Sequence, residues 1–266
     1  MIASPKVRLY AAGNLRAALS EIGKSFATAS GHGVEAKFGR SGLLKDASAG
    51  GCGADLFASA NMESPHALNC SNRSGSVFRF ARNGLCALVS PGFDVDSTNL
   101  VERLLDPTIN LDTSTANSDP CGGCALAVFR KLDAVRPGAG AMLEQKALKL
   151  TGGANSAVPP AGRIAYGWHI AEDRADTDIF LAHRTAAADA LKQNPGHYIV
   201  ELPRALAGGA GYGLMIIAGP PPAARQFARF ILSSTGQDVL IGYGFESGTS
   251  SGGRHTLTRR PRSAVA

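Results

Sequence analysis

Aromatic residues make up only 6% of this chain, with a single tryptophan, which leaves little material for the stacking platforms that hold single-stranded nucleic acid. Cysteine is sparse and odd in number: Cys52, Cys70, Cys86, Cys121 and Cys124 are too few for a disulfide scaffold in 266 residues. No apolar run approaches the roughly 18 residues that a membrane span needs. The segment Met1–Lys6 lacks the long apolar stretch of a secretory signal, so a targeting segment, if one exists, is not in view. The histidines His32, His66, His169, His197 and His255 show no metal-ligand spacing, and the Cys121/Cys124 pair lacks a second short-spaced pair, so no metal-cation site is expected. There is no G-x-S-x-G elbow and no G-x-x-x-x-G-K-S/T loop, and Gly208–Gly213 does not fit a dinucleotide fingerprint opening a helix.

What is present is a chain with 44% hydrophobic and 18% charged residues, enough to bury a sizeable core. The 32 glycines imply many tight turns and close backbone approaches. The length suits one large or two modest α/β units. The net charge of +6 is unevenly placed, because Arg254, Arg259, Arg260 and Arg262 face one acid in residues 246–266 and supply +3 of it. That Gly/Ser/Thr/Arg segment reads as a disordered basic tail, and the mildly basic remainder suits a small anion without demanding a polyanion.

Hydrophobic periodicity places a strand at Val7–Ala11, a turn at Ala12-Gly13-Asn14, and a helix carrying Leu15, Ala18, Leu19, Ile22 and Phe26. The unit repeats with a strand at Val34–Phe38, a turn at Gly39–Gly42 and a helix from Leu43 to Gly50. A strand at Asp55–Ala60 follows. Phe78–Val89 is a longer apolar segment ended by Ser90-Pro91-Gly92. Beyond it the pattern gives a helix at Leu100–Leu105, a strand at Asn110–Thr113, helices to Leu132 and over Ala141–Leu150, and a helical or turn-like stretch at Ile164–Ile170. A strand at Asp178–Ala182, a helix at Arg184–Lys192 and a strand at Tyr198–Leu202 come next. A return strand at Tyr212–Ala218 and helices at Ala223–Leu232 and Gln237–Ile241 close the pattern. Such alternation predicts an α/β fold of mostly parallel sheets with helices on both faces. The expected organisation is a discontinuous first lobe (6–90 plus 213–245), a second lobe (91–212) and the tail 246–266, with a ligand cleft between lobes that the chain crosses twice.

Open parallel sheets bind ligands at the carboxyl ends of their strands. Three strand-to-helix turns carry small donors there: Gly13-Asn14, Arg40-Ser41-Gly42 and Cys121-Gly122-Gly123. Helix starts offer N–H groups without intrahelical acceptors and the positive end of the macrodipole, so several converging turns would cage a small dianion. Taken singly, Asn14 and Ser41 are better explained as helix caps.

The segments Tyr10–Arg16, Phe38–Leu44, Ala54–Ala60 and Asp178–Leu181, in this order and spacing, resemble the molybdate-binding proteins of ABC importers, a branch of the type II periplasmic binding proteins. The resemblance runs from Val7 to Phe245. It implies two α/β lobes that close on a tetrahedral oxyanion, molybdate or tungstate, held by uncharged donors, with a membrane permease as partner. It further implies a monomeric periplasmic protein without catalysis, cofactor or nucleic acid. Carried over position by position, the site comprises Asn14, where the family has Ser; Ser41, retained; backbone N–H groups at Cys121 and Ala165; and His183, where the family has Tyr. None of these side chains is a carboxylate, which suits a fully deprotonated anion. Two other readings remain at this level. The C-x-x-C at a helix start suits a thiol oxidoreductase, and the same two-lobed fold also serves as a cytoplasmic oxyanion or small-molecule sensor.

Overall fold

The computed structural model describes residues 6–39, 53–70, 75–116, 120–151, 153, 155–161, 165–171, 177–217 and 219–248. It opens with β1 (Val7–Ala12), a 3-10 turn (Gly13–Leu15) and α1 (Arg16–Ser30). Ala18, Leu19, Ile22 and Phe26 lie on one face of α1 and are buried. The helix ends at Gly31, whose φ of 74° supplies a left-handed cap donating its N–H to Ala27 O. Next come β2 (Val34–Gly39), β3 (Leu56–Ser59), α2 (Glu63–Cys70) and the long β4 (Val77–Val89). The middle of the chain forms α3 (Leu100–Leu105), β5 (Leu111–Ser114), α4 (Pro120–Val135), α5 (Ala139–Lys146), β6 (Leu148–Thr151), α6 (Ala165–His169), β7 (Ile179–His183), α7 (Arg184–Gln193) and β8 (Tyr198–Glu201). It closes with β9 (Gly209–Ile216), α8 (Pro222–Leu232), α9 (Ser234–Gly242) and β10 (Glu246–Ser247).

Several elements correct the reading from sequence. The helix expected over Ala141–Leu150 stops at Lys146, because Ala147 turns extended and Leu148–Thr151 finds hydrogen-bond partners as a strand beside β5. Its apolar residues fit both periods, and sheet pairing decides between them. The eight-residue α2, half polar, was not expected at all. Glu246 and Ser247, read as the start of the tail, pair with Arg82 and Ala81 of β4. The turn at Arg40–Gly42 and the helix after it lie outside the described residues.

The strands run in the order β2-β1-β3-β9-β4-β7-β5-β6, with β8 and β10 also on β4. Pairing is mixed: β2, β1 and β3 are mutually parallel, as are β6, β5 and β7, while every contact of β4 and β9 is antiparallel. Helices cover both faces. Apolar clusters built from residues 7–81 and 210–245 lie on the two faces of one end of the sheet, and clusters from residues 85–206 on those of the other. In the first, Phe26 of α1 meets Phe227 and Phe230 of α8 at 4.9 and 5.6 Å, contacts worth about 0.5–1.5 kcal/mol each beyond their buried area.

β4 joins the two ends. Its residues Val77–Gly84 pair with β9, and Leu85–Val89 pair with β7 on one side, while Cys86–Val89 pair with β8 on the other. The partner change falls within the span that the sequence assigns to the first lobe. The register fixes directions as well. β1 runs the same way as β4, through two antiparallel steps, and so points toward Gly84; β7 runs against β4, from the level of Val89 to that of Leu85, and points toward the same place. β5, parallel to β7, does likewise. The carboxyl ends of β1, β5 and β7 therefore converge on the joint in β4.

Candidate functional site

From the first end of the sheet, the turn after β1 brings Asn14 to the joint. Asn14 is exposed, while Leu15 beside it is buried and anchors the turn. Two residues on, the Arg16 guanidinium lies 4.7 Å from the centre of the Phe38 ring, leaving a positive charge beside the turn. From the other end, β7 delivers His183, half-buried and paired with Leu85. It is the N-cap residue of α7, with extended backbone (φ −62°, ψ 138°) and a side chain that does not cap the helix.

A chain of side-chain hydrogen bonds connects the two. Asn14 Nδ2 donates to the Tyr212 hydroxyl at 2.6 Å. Asn83 Nδ2 donates to the same hydroxyl at 3.3 Å and to Thr185 Oγ1 at 2.9 Å, and Asn83 Oδ1 accepts the Thr185 backbone N–H at 3.3 Å. Asn83 and Tyr212 are each 1% exposed. A buried amide satisfied on both its atoms rigidifies its surroundings, and removing one partner leaves the rest uncompensated. Burial pushes the Tyr212 pKa upward against the opposing pull of the bonds from Asn83 and Asn14, so the phenol keeps its proton. Its ring is wedged edge-on between Phe80 and Phe245. Both Phe80 and Ala81 face the core because a β-bulge between Arg79 and Ala81 re-aims the strand just before the joint.

The start of α4 forms a third wall. Cys121 is fully buried, its thiol donating to Leu181 O at 3.5 Å, two residues before His183; Cys124 is partly exposed, and both are thiols. Gly122 presses so closely on the end of β5 that a Cβ there would collide with the Ser114 carbonyl and Ala116 N. Beside it Thr151 Oγ1 donates to Ser114 Oγ at 2.9 Å, and Ser114 Oγ to the Tyr166 hydroxyl at 3.3 Å. This sets α6, with Ala165 as its first residue, at the same edge of the sheet.

The structure thus links Asn14 to α7 two residues beyond His183, sets Cys121 against β7, and attaches the helix of Ala165 to the end of β5. Ser41 lies outside the described residues. Sequence reasoning missed Asn83, Tyr212 and Thr185. The available signal is Asn83-Gly84, a polar step directly before the wholly apolar run Leu85–Val89. Among the described residues, no three His, Cys, Asp or Glu side chains gather as a metal site requires, and no helix is long and apolar enough to cross a membrane. An open apolar groove of about 410 Å³ lies between the last turn of α1 and α8, lined by Phe26, Ala29, Arg229 and Phe230. Because α1 runs back from the joint, this groove is at the opposite edge of the sheet and belongs to helix packing.

Comparison with known proteins gives the family and the fold. Residues 7–246 match the family described as bacterial extracellular solute-binding protein. An uncharacterised protein of Pasteurella multocida is 29% identical over 240 residues, 90% of this chain and 98% of its own. Among solved structures, a substrate-binding domain named for a molybdenum ABC transporter of Clostridium difficile superposes with a TM-score of 0.74 at 19% identity, covering 92% of this chain and 99% of that one. The periplasmic molybdate-binding protein of Azotobacter vinelandii gives 0.60 at 18% (91% and 99% covered). The sulfate-binding protein SubI of Mycobacterium tuberculosis gives 0.63 at 17% (92% and 87%). These likenesses show the two-lobed type II binding-protein fold, and their named ligands differ.

Proposed function

This chain belongs to the bacterial extracellular solute-binding proteins, and on that premise we propose that it is the periplasmic substrate-binding component of an ABC importer, capturing a tetrahedral oxyanion, molybdate or tungstate, between its lobes. The observation that carries the reading is the hydrogen-bonded chain from Asn14 through Tyr212 and Asn83 to Thr185. It ties an expected ligand position of one lobe to the helix start beside the expected position of the other, at the joint toward which β1, β5 and β7 point. The proposed ligand set is the side chains of Asn14, Ser41 and His183 with backbone N–H groups at Cys121 and Ala165. All can donate and none is a carboxylate, so the set favours a deprotonated dianion over a ligand that must itself donate. Each bond to the anion is worth about 1.5–3 kcal/mol, enough in sum to hold the lobes closed on it. The closed lobes would then be recognised by a membrane permease, with the protein acting as a monomer and performing no chemistry. The burial of the Cys121 thiol in the apolar core beneath β7 argues for a packing role of that sulfur rather than thiol exchange.

A thermal-shift series with molybdate, tungstate, sulfate, phosphate and thiosulfate tests the reading. A ligand at about 100 times its dissociation constant adds about 2.7 kcal/mol of stability. Molybdate or tungstate is expected to raise the midpoint most, and a flat response to every anion would refute the proposal. Ser41→Ala is expected to lose about 1–3 kcal/mol of binding free energy.

A further inference from the structure

The bond between Asn14 and Tyr212 has a polarity that decides what Asn14 offers a ligand. The orientation of Asn83 is fixed, because the Thr185 backbone N–H can only donate; Oδ1 must face it, and Nδ2 must face Thr185 Oγ1 and the Tyr212 hydroxyl. The Tyr212 oxygen therefore already accepts one bond, and its own proton, retained in this buried setting, calls for an acceptor. The Asn14 amide carries one. In the structure it turns Nδ2 to the hydroxyl at 2.6 Å. That spacing is below the usual range of about 2.7–3.2 Å for N–H···O and inside that of about 2.5–3.0 Å for O–H···O. A half-turn of the amide about its last torsion puts Oδ1 in the same place without moving the chain.

We propose that the oxyanion is captured with Asn14 in this turned orientation: Tyr212 O–H donates to Asn14 Oδ1, and both Nδ2 hydrogens face the anion. Tyr212, itself held by Asn83, is then a positioning and specificity residue. It makes Asn14 a donor to dianions, whereas the unturned amide would present Oδ1 and repel them. The inference rests on the oxyanion reading above. It also explains how an amide can stand where the resembled family has serine, since a hydroxyl rotor needs no such orienting partner.

The test is calorimetric titration of sodium molybdate and sodium sulfate into the wild type, Tyr212→Phe, Asn14→Ser and the double variant. Tyr212→Phe keeps the ring between Phe80 and Phe245. It is expected to lose about tenfold in affinity, the scale of one hydrogen bond to a charged group, and to lose far less in the Asn14→Ser background. Equal losses in both backgrounds would mark Tyr212 as merely structural and overturn the assignment, as would an unchanged affinity in Tyr212→Phe. Should that variant fail to fold, the side-chain amide protons of Asn14 in the wild type decide by NMR: both are expected to shift on saturation, and two unmoved resonances contradict the turned amide. A wild type that binds neither anion overturns the functional reading itself, an outcome distinct from a wild type that binds while the variants match it.

Discussion

The two halves of β4 are continuous in sequence and opposite in character. Leu85–Val89 is buried throughout, packs apolar side chains to both faces, and is flanked by β7 along its whole length and by β8 from Cys86 onward. Val77–Gly84 is unevenly exposed, kinked by a bulge, flanked by β9 and only briefly by β10, and carries Arg79, Arg82 and Asn83. The second half acts as a core strand, while the first half ends in a joint. At that joint a polar residue is buried and fully hydrogen-bonded, and the carboxyl ends of β1, β5 and β7 point toward its level. One strand thus spans two environments, and Asn83-Gly84 marks the change between them.

The comparison breaks most completely at Gly209, opposite Gly84 in β9. Its φ is 149°, and a Cβ there would strike the Asn83 carbonyl and Gly84 Cα. Gly209→Ala should cost about 3 kcal/mol or more of stability, measured by urea unfolding; a loss below about 1 kcal/mol would show that the joint tolerates a side chain. Asn83→Ala should cost about 1–3 kcal/mol, since it leaves the buried Tyr212 hydroxyl and the Thr185 groups short of partners. It should also weaken molybdate binding, whereas Leu88→Ala in the second half should lose about 2–5 kcal/mol of stability with binding intact. If both variants affect binding alike, the division of labour along β4 is wrong.

The smallest effect separates the halves by pH. Burial pushes the Cys86 thiol far above the ordinary thiol range, with Glu201 adding in the same direction. With the folded-state pKa raised, the folded form holds its proton where the unfolded chain, at about 8.5, gives it up. This contribution is fully present below that pH and is lost as pH rises through the window above it, by at most about 1.4 kcal/mol per pH unit for one proton. Unfolding free energies from pH 8 to 10.5 should therefore decline less steeply in Cys86→Ala than in the wild type, and parallel curves would contradict the assignment.

The local parts of this fold were legible from sequence. Val7–Ala11 followed by the 3.6-residue spacing of α1, and the helix at Ala223–Leu232, depend on neighbours along the chain, and the structure has both. Elements decided by distant pairing were not. Leu148–Thr151 becomes a strand only because β5 offers its edge, and Glu246–Ser247 only because β4 does. The same distinction governs the site. Asn14 and His183 could be named from turns and from a family resemblance, but the residues that connect them could not, since Tyr212 reaches Asn14 and Asn83 only through the folded sheet.

The central claim, that donors from both lobes converge on one oxyanion, is tested most directly by isothermal titration of molybdate and of tungstate into the wild type and Asn14→Ala. Saturable one-to-one binding in the wild type, weakened about tenfold or more in the variant, is the predicted result. Absence of saturable binding of either anion, or equal affinity in the two proteins, would contradict it.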